Sequence, residues 1–410
     1  MRTRTQLRRK AVVLLTVSGL ISLAACGQGG SSPGADSAKG DIPIALVYPT
    51  SGVWKTQGEN SVRGAQLAIE DINAAGGVLG GRKLVAKVAD AGNDPQAAAS
   101  AARQLLQQNK VAALLGAYLS GYTLTVSTVA EQAKVPDVTQ SFSDELVNRG
   151  YKYTFKTTPT AKAFSTSVFS YLVDMYKAAG KPIPSAAILA SDDASGQQQY
   201  AAAIAAAPQA GFKVPLQLQF PANVTDTSAL VNRIVAAKPE ILLLNGPDLA
   251  EIQIVKAMRA MGVDIPVVGL GGAGVTTQAF VDALGSGVDG VLATVPYNGD
   301  VSPKAEDVAK RYLAKNGGTF MPAESGTAYM GAMLVAAAID KAGSADAQKV
   351  ADALRGLELK DGAASQYPGG VIKFNDKGLN ESAYPLMIQY QNGKPATVWP
   401  EKDAKSKPKL

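Results

Sequence analysis

The 410-residue sequence contains no histidine, a single cysteine and few aromatic residues, which make up 6% of the chain. Without histidine, the common zinc sites and the Ser-His and Cys-His catalytic pairs lack a required component, and most common hydrolase mechanisms are excluded. From Asp41 onward no run of 18 consecutive apolar residues occurs, so the sequence predicts no membrane-spanning helix there. No cofactor site is predicted.

The one cysteine, Cys26, follows a segment organised like a bacterial secretion signal. Basic residues within positions 2–10 precede the apolar stretch Ala11–Leu23, which is too short for a comfortable membrane span. Leu23-Ala24-Ala25-Cys26 matches a lipobox, in which the cysteine thiol receives a diacylglyceryl group and becomes the N-terminus after cleavage. Because two acyl chains give stable anchoring, we expect a lipid-anchored protein on the outer face of the plasma membrane or in a periplasm. An ordinary signal peptide is the alternative.

The residues after Cys26 predict a flexible tether, and removal of the segment before Cys26 takes away most of the positive charge of the chain. Residues 27–39 read GQGGSSPGADSAK, which contains too little apolar surface to offset the entropy of ordering it. Residues 1–25 hold five basic residues and no acid, so removing them lowers the formal net charge from +6 to +1. The remaining Lys and Arg are scattered, and no nucleic-acid partner is indicated.

Short apolar runs then alternate with Ala-rich helical segments. The strand Ile42–Val47 precedes the helix Ser61–Ala75, and the strand Lys83–Ala89 precedes the helix Asp94–Asn109. Further predicted strands are Val111–Gly116, Ala186–Ala190, Ile241–Leu244, Val267–Leu270 and Gly290–Val295. This alternation predicts an α/β fold of parallel sheets with helices on both faces, and about 360 ordered residues predict two lobes. Such sheets bind ligands at the carboxyl ends of their strands.

Several segments carry a family resemblance. They are IALVYPTSGVWKTQGENSVRGAQLAIEDINAAGGVLGGRKL, DAGNDPQAAASAARQLL, LLGAYLSGYTLTVSTVAE, VPDVTQSFSDEL and YTFKTTPT. In this order and spacing they resemble the first lobe of type I periplasmic binding proteins, the amino-acid receptors of ABC importers typified by the Leu/Ile/Val-binding protein. The similarity extends from about Ile42 to Tyr329.

The resemblance implies two Rossmann-like lobes, hinged by crossover strands, that close on a small molecule and present it to a permease and its ATPase. A monomer without enzymatic activity is expected. The implied organisation is a signal peptide at 1–25, a flexible tether at 26–40, a first lobe from 41–158 and 297–375, a second lobe from 159–296 and 376–400, and a polar tail at 401–410.

Two strand-end loops match the places where the family binds a ligand carboxylate with hydroxyl and backbone N–H groups. These loops read Tyr118-Leu119-Ser120-Gly121 and Gln140-Ser141-Phe142-Ser143. Each precedes a helix, whose positive dipole end favours an anion. We expect Ser120 and Ser143 to provide hydroxyl contacts and Ser141 a backbone contact. The alternative is that these serines only cap helices.

Aromatic residues near the same strand ends predict an apolar wall. Trp54 follows the first strand, where the family covers the ligand side chain, and Tyr118, Leu119 and Phe142 flank the serines. Tyr297, after a later strand, is a further candidate. For Tyr329, within a helix that begins near Ser325, core packing is expected instead.

The second lobe departs from the amino-acid pattern of the family. Gly271 stands where amino-acid receptors carry the Glu that binds the ligand's ammonium group, and Ser195 is nearest to a usual tyrosine. A buried ammonium without a counter-charge is costly. Either Asp193 or Asp248 supplies that charge from a shifted position, or the ligand is not a simple α-amino acid but an aromatic or other organic acid or an amide.

The same region contains a GxGxxG pattern, residues 269–274, before a predicted helix Thr276–Leu284. No acidic residue closes the next strand, so a dinucleotide site is disfavoured. A ligand sensor without transport stays open as an alternative. An exported enzyme is disfavoured, because no Ser/Lys dyad or pair of carboxylates with defined spacing is evident.

Overall fold

The computed structural model describes residues 40–272 and 274–410, apart from the side chain of Ser195. Cys26, the predicted signal and residues 27–39 of the predicted tether lie outside the described residues. The strands are β1 Ile42–Tyr48, β2 Leu84–Asp90, β3 Ala113–Gly116, β4 Asp137–Thr139, β5 Thr154–Lys156, β6 Ala186–Ser191, β7 Leu216–Phe220, β8 Ile241–Asn245, β9 Val267–Gly269, β10 Leu292–Val295, β11 Glu358–Leu359, β12 Ile372–Lys373, β13 Leu386–Gln391 and β14 Lys394–Trp399. The helices are α1 Lys55–Ala74, α2 Pro95–Gln108, α3 Ser120–Ala133, α4 Ala161–Ala178, α5 Ala194–Gln209, α6 Ser228–Ala237, α7 Asp248–Ala260, α8 Gln278–Leu284, α9 Pro303–Asn316, α10 Ala323–Ala342 and α11 Ala347–Arg355.

Two sheets divide the strands between two lobes, which confirms the predicted α/β fold class. The first lobe contains a parallel five-stranded sheet of order β2-β1-β3-β4-β5. The second contains a seven-stranded sheet of order β14-β13-β10-β9-β8-β6-β7, in which β13 and β14 are antiparallel to their neighbours. A small β11-β12 hairpin completes the sheet structure of the described residues.

Strand side chains alternate between two cores in each lobe. Along β1, Ile44 and Leu46 pack with α1, α9 and α10 on one face, whereas Ala45 and Val47 pack with α2 and α3 on the other. The second lobe repeats this arrangement with α6 to α8 on one face and α4 and α5 on the other. Because both faces of the inner strands are buried, strands such as β1 and β8 are nearly continuous apolar runs, whereas the edge strand β7 alternates buried and exposed residues.

The chain passes between the two sheets three times. It leaves the first sheet through residues 157–160, returns through 296–302, and leaves again through 374–385. Two of these crossings meet at Lys156, whose N–H donates to the carbonyl of Gly378 and whose carbonyl accepts from Asn380 N–H, at 2.7 and 2.9 Å. The last residues lie along β13, where Gln389 bonds the backbone of Lys409. Among the described residues, no helix combines the length and hydropathy of a membrane span.

Helix α1 begins at Lys55, earlier than the predicted start at Ser61. A 3₁₀ turn, Gly52–Trp54, runs directly into it. Its first turns lack an apolar stripe. Glu59 instead forms exposed ion pairs with Lys55 and Arg63, at 3.5 and 3.3 Å. Pairs four residues apart support a helix, but a search for hydrophobic periodicity does not detect them. The longer helix places its first residues at the carboxyl edge of the sheet.

Candidate ligand-binding cleft

Two adjoining small cavities lie between the lobes at the carboxyl ends of the strands. Tyr118, Phe142 and Gly271 line both of them. The cavity between Trp54 and Tyr118 has a volume of about 20 Å³ and the one beside Glu324 about 10 Å³, so protein side chains nearly fill the space around Tyr118 in this conformation. A groove of about 650 Å³ lies elsewhere, against the Ala-rich face of α5, and has no aromatic residue in its lining.

Three of the predicted aromatic residues, Trp54, Tyr118 and Phe142, line these cavities and form an aromatic wall. Trp54 is 6% exposed, and its ring centroid lies 6.4 Å from that of Tyr118. The ring centroid of Phe142 lies 4.4 Å from that of Phe164 of α4, at an interplanar angle of 43°, so this aromatic side chain contacts the second lobe. Tyr118 has a left-handed backbone with φ of +68°, which is uncommon for a non-glycine residue and concentrates at functional sites.

Ser120 and Ser141 lie just behind this wall. Ser120 is the first residue of α3, Ser141 follows β4, and the hydroxyl of Ser141 donates to that of Ser120 at 3.2 Å. Both are buried, and their neighbours Leu119 and Phe142 line the cavities. The N-terminal end of α3 therefore meets two hydroxyl groups beside the cleft, a combination suited to a carboxylate.

Ser143 has a different environment. Its hydroxyl accepts from the N–H of Glu145 at 3.2 Å and caps the 3₁₀ turn Asp144–Val147, and its side chain lines neither cavity. The structure thus places it in the capping position that the sequence offered as the alternative.

The two acids predicted as ammonium partners are engaged at helix starts. Asp193 accepts from the hydroxyl of Ser191 and, at 3.1 Å, from the N–H of Gly196 at the start of α5. Asp248, the first residue of α7, accepts from the hydroxyl of Thr56 at 3.0 Å. Neither lines the cavities. The side chain of Ser195 lies outside the described residues.

Gly271 is on the cleft and Tyr297 is not. Gly271 has φ of +70°, and a Cβ atom there would lie 2.5 Å from Oε1 of Gln199, so the position cannot carry a glutamate without rearrangement. Tyr297 is 1% exposed and packs in the first-lobe core against Gly326, while the preceding Pro296 lines the cavity. Tyr329 packs in the same core, as the sequence predicted.

The sequence analysis missed two buried glutamates. Glu324, in the first turn of α10, is 4% exposed and lines a cavity, and burial raises its pKa to about 8, although a hydrogen bond from Tyr118 opposes that rise. Glu251, inside α7, is fully buried, and burial raises its pKa well above its ordinary value, against smaller opposing effects of the backbone at Val275 and Gly246. For Glu324 the available signal was an acid in the first turn of a largely apolar helix, and for Glu251 there was none.

These acids surround the hydroxyl of Tyr118. Burial raises its pKa well above the ordinary value, and nearby carboxylates raise it further. In decreasing order of effect they belong to Glu324, Glu251, Asp193 and Asp248. The cleft is therefore acidic on one side and aromatic on the other.

The fold, with its cleft where strand ends of both lobes meet, is that of a two-lobed solute-binding protein. The family model described as periplasmic binding protein matches residues 41–394, and the chain belongs to this family, with the type I fold. Proteins of this family bind solutes outside the cytoplasm and are not enzymes.

Similar proteins cover nearly the whole chain. A Leu/Ile/Val-binding protein homolog 8 from Brucella melitensis biotype 1 is 29% identical over 407 residues, 96% of this chain and 99% of the relative. The structure of a branched-chain amino acid transporter substrate binding protein from Streptococcus pneumoniae, in complex with isoleucine, has a TM-score of 0.74 at 24% identity. The match covers 87% of this chain and 97% of that protein. The structure of an ABC transporter solute binding protein from R. palustris, in complex with benzoate, has a TM-score of 0.73 at 17% identity. The match covers 88% of this chain and 96% of that protein.

Proposed function

We propose that this protein is the lipid-anchored, extracytoplasmic receptor of an ABC importer, which captures an amino acid or a related small carboxylate between its lobes and delivers it to the permease. The observation that carries the proposal is the convergence of Ser120, Ser141 and the start of α3 beside the wall formed by Trp54 and Tyr118. The hydroxyls and the helix start suit a carboxylate, and the wall suits an apolar side chain.

Ligand screening tests the binding step. The twenty common amino acids and small organic acids such as benzoate are screened by thermal shift, and hits are measured by calorimetry. We expect saturable binding of at least one compound, a raised unfolding temperature, and a smaller radius of gyration as the lobes close. A panel that yields no ligand at millimolar concentration, or turnover of a bound compound, would contradict the proposal.

Transport is distinguished from sensing in the host cell. Deleting the gene should reduce uptake of the compound that the purified protein binds, and neighbouring permease and ATPase genes should be required for the same uptake. Undiminished uptake with altered gene expression would instead favour a ligand sensor.

The proposed anchor is tested separately. Cys26→Ser should block lipidation, leaving an unprocessed precursor or releasing the protein from the membrane fraction. A variant with unchanged mass and fractionation would overturn the lipoprotein assignment while leaving the binding function intact.

A further inference from the structure

The charge of the cleft is one-sided. Among the described residues that line the two cavities there is one acid, Glu324, and no lysine or arginine. No ion pair of the described residues includes Glu324 or Glu251, although both are buried. Buried carboxylates are ordinarily paired, because desolvation disfavours an isolated charge.

Glu324 is unsatisfied on one side. Tyr118 donates to its carboxylate, but its Oε2 atom is buried and has no hydrogen-bond partner in the protein. Because Glu324 also lines the cavity, its carboxylate stands at the place where a molecule bound in the opened cleft would lie. A buried polar group that lacks a partner is expensive, so such an atom in a native cleft indicates a group supplied from outside.

The start of α10 is held closely against α1, beside Glu324. The hydroxyl of Ser325 donates to the carbonyl of Asn60 at 2.8 Å. Gly64 of α1 lies so close that a Cβ atom on it would be 2.0 Å from the Ser325 carbonyl oxygen. The two helices therefore fix the backbone beside the carboxylate.

We infer that the ligand of this cleft carries a positively charged group and that Glu324 is its counter-charge. This inference rests on the proposed function and names the ligand class: small molecules in which an ammonium group accompanies the carboxylate. The position of Gly271 cannot provide a carboxylate, and Asp193 and Asp248 lie off the cavities. Glu324 thus binds the ammonium group from the first lobe, whereas the family resemblance implied an acid in the second lobe.

The geometry also orients the ligand. Tyr118 lines both cavities, with Trp54 on one side and Glu324 on the other. An ammonium group at Glu324 leaves the apolar side chain toward Trp54 and the carboxylate toward the start of α3. A simple carboxylate such as benzoate would leave Glu324 without a partner.

The test uses compounds matched in shape and different in charge. Leucine, phenylalanine and the other common amino acids are compared by calorimetry with their deaminated acids, together with benzoate. We expect each bound amino acid to bind at least about 10-fold more tightly than its deaminated acid, since a hydrogen bond to a charged group has that scale. Deaminated acids or benzoate that bind as tightly as or more tightly than every amino acid would overturn the inference while leaving the carboxylate receptor standing. Failure of every compound would overturn both.

Glu324→Gln keeps the shape of the side chain and removes its charge. Affinity for amino acids should fall about 10- to 100-fold, whereas affinity for the deaminated acids should stay the same or improve. Glu306→Gln is the matched control, an exposed acid in the first turn of α9, and should change neither. Circular dichroism and thermal unfolding verify that both variants fold. Equal losses for charged and deaminated compounds in Glu324→Gln would show that Glu324 supports the cleft without pairing with a cation.

Discussion

The hydroxyl of Thr56 donates a 3.0 Å hydrogen bond to the carboxylate of Asp248, and the two residues lie at the first turns of helices in different lobes. The bond therefore links the two lobes. It is only partly buried, so solvent competes for both groups in an open form.

Removing this bond should favour the open form. Thr56→Val preserves shape but loses the donor, and we expect ligand affinity to weaken by about 1 kcal/mol, roughly fivefold, because closure loses one hydrogen bond. Small-angle scattering should show a larger average radius of gyration before ligand is added. Thr225→Val, at an exposed loop position, is the control. An unchanged radius and affinity in Thr56→Val would show that the bond does not influence closure.

The two predicted hydroxyl contacts should separate on mutation. Ser120→Ala should weaken binding of every carboxylate ligand by about 1–3 kcal/mol, because its hydroxyl lies with that of Ser141 beside the cleft. Ser143→Ala should instead lower the free energy of unfolding by about 1 kcal/mol through loss of the cap, with little change in affinity. Calorimetry and urea denaturation measure the two effects. A loss of affinity without a loss of stability in Ser143→Ala would instead show that Ser143 contacts the ligand.

A side chain at position 271 should interfere with the cleft as well as with the backbone. Gly271→Ala strains a backbone with φ of +70° and places its Cβ atom 3.1 Å from the Phe142 ring. Gly150 has φ of +73° with open space around it, so Gly150→Ala isolates the backbone cost of about 1–2 kcal/mol in unfolding free energy. We expect both variants to lose stability and only Gly271→Ala to lose ligand affinity.

Lys156 should make stability depend on pH. Its ammonium group is buried and donates to the carbonyl of Thr158 at 2.8 Å, and burial lowers its pKa to about 7 from an ordinary value of 10.5. The unfolded chain therefore binds more protons between these values, so this residue's contribution to the free energy of unfolding rises as pH increases from 7 toward 10.5 and is lost as pH falls through 7. The Coulombic effect of Asp144 opposes the shift only in part.

Lys156→Met measures that contribution. Denaturant unfolding between pH 7 and pH 9.5 should give a flatter stability profile for the variant than for the wild type. Lys162→Met, an exposed position in α4, should keep the wild-type slope. Parallel profiles for Lys156→Met and the wild type would show that Lys156 remains protonated throughout.

Local sequence patterns were sufficient to predict most of the fold, because buried parallel strands are recognisable in the sequence as apolar runs. The predicted strand Ile42–Val47 is observed as Ile42–Tyr48, and the predicted Ile241–Leu244 as Ile241–Asn245. The start of α1 was wrong because polar first turns leave no hydrophobic trace.

The site was harder to predict because single positions at a strand end face different ways. Pro296 lines the cavity while Tyr297, one residue later, points into the first-lobe core. An acid in the first turn of α10 did not by itself mark the cleft, because the relation of Glu324 to Tyr118 arises only when α10 packs into the first-lobe core. Such pairings depend on tertiary contacts that periodicity does not encode.

The three chain crossings have a consequence for how the protein is made. The core around β1 is completed by α10 and by Phe374, and β10 lacks its antiparallel neighbour until Leu386–Gln391 has been synthesised. Neither half of the molecule can finish folding until nearly the whole polypeptide is available. A nascent chain with this order of parts stays loose during translation, a state that suits passage through a narrow export channel before the native contacts form.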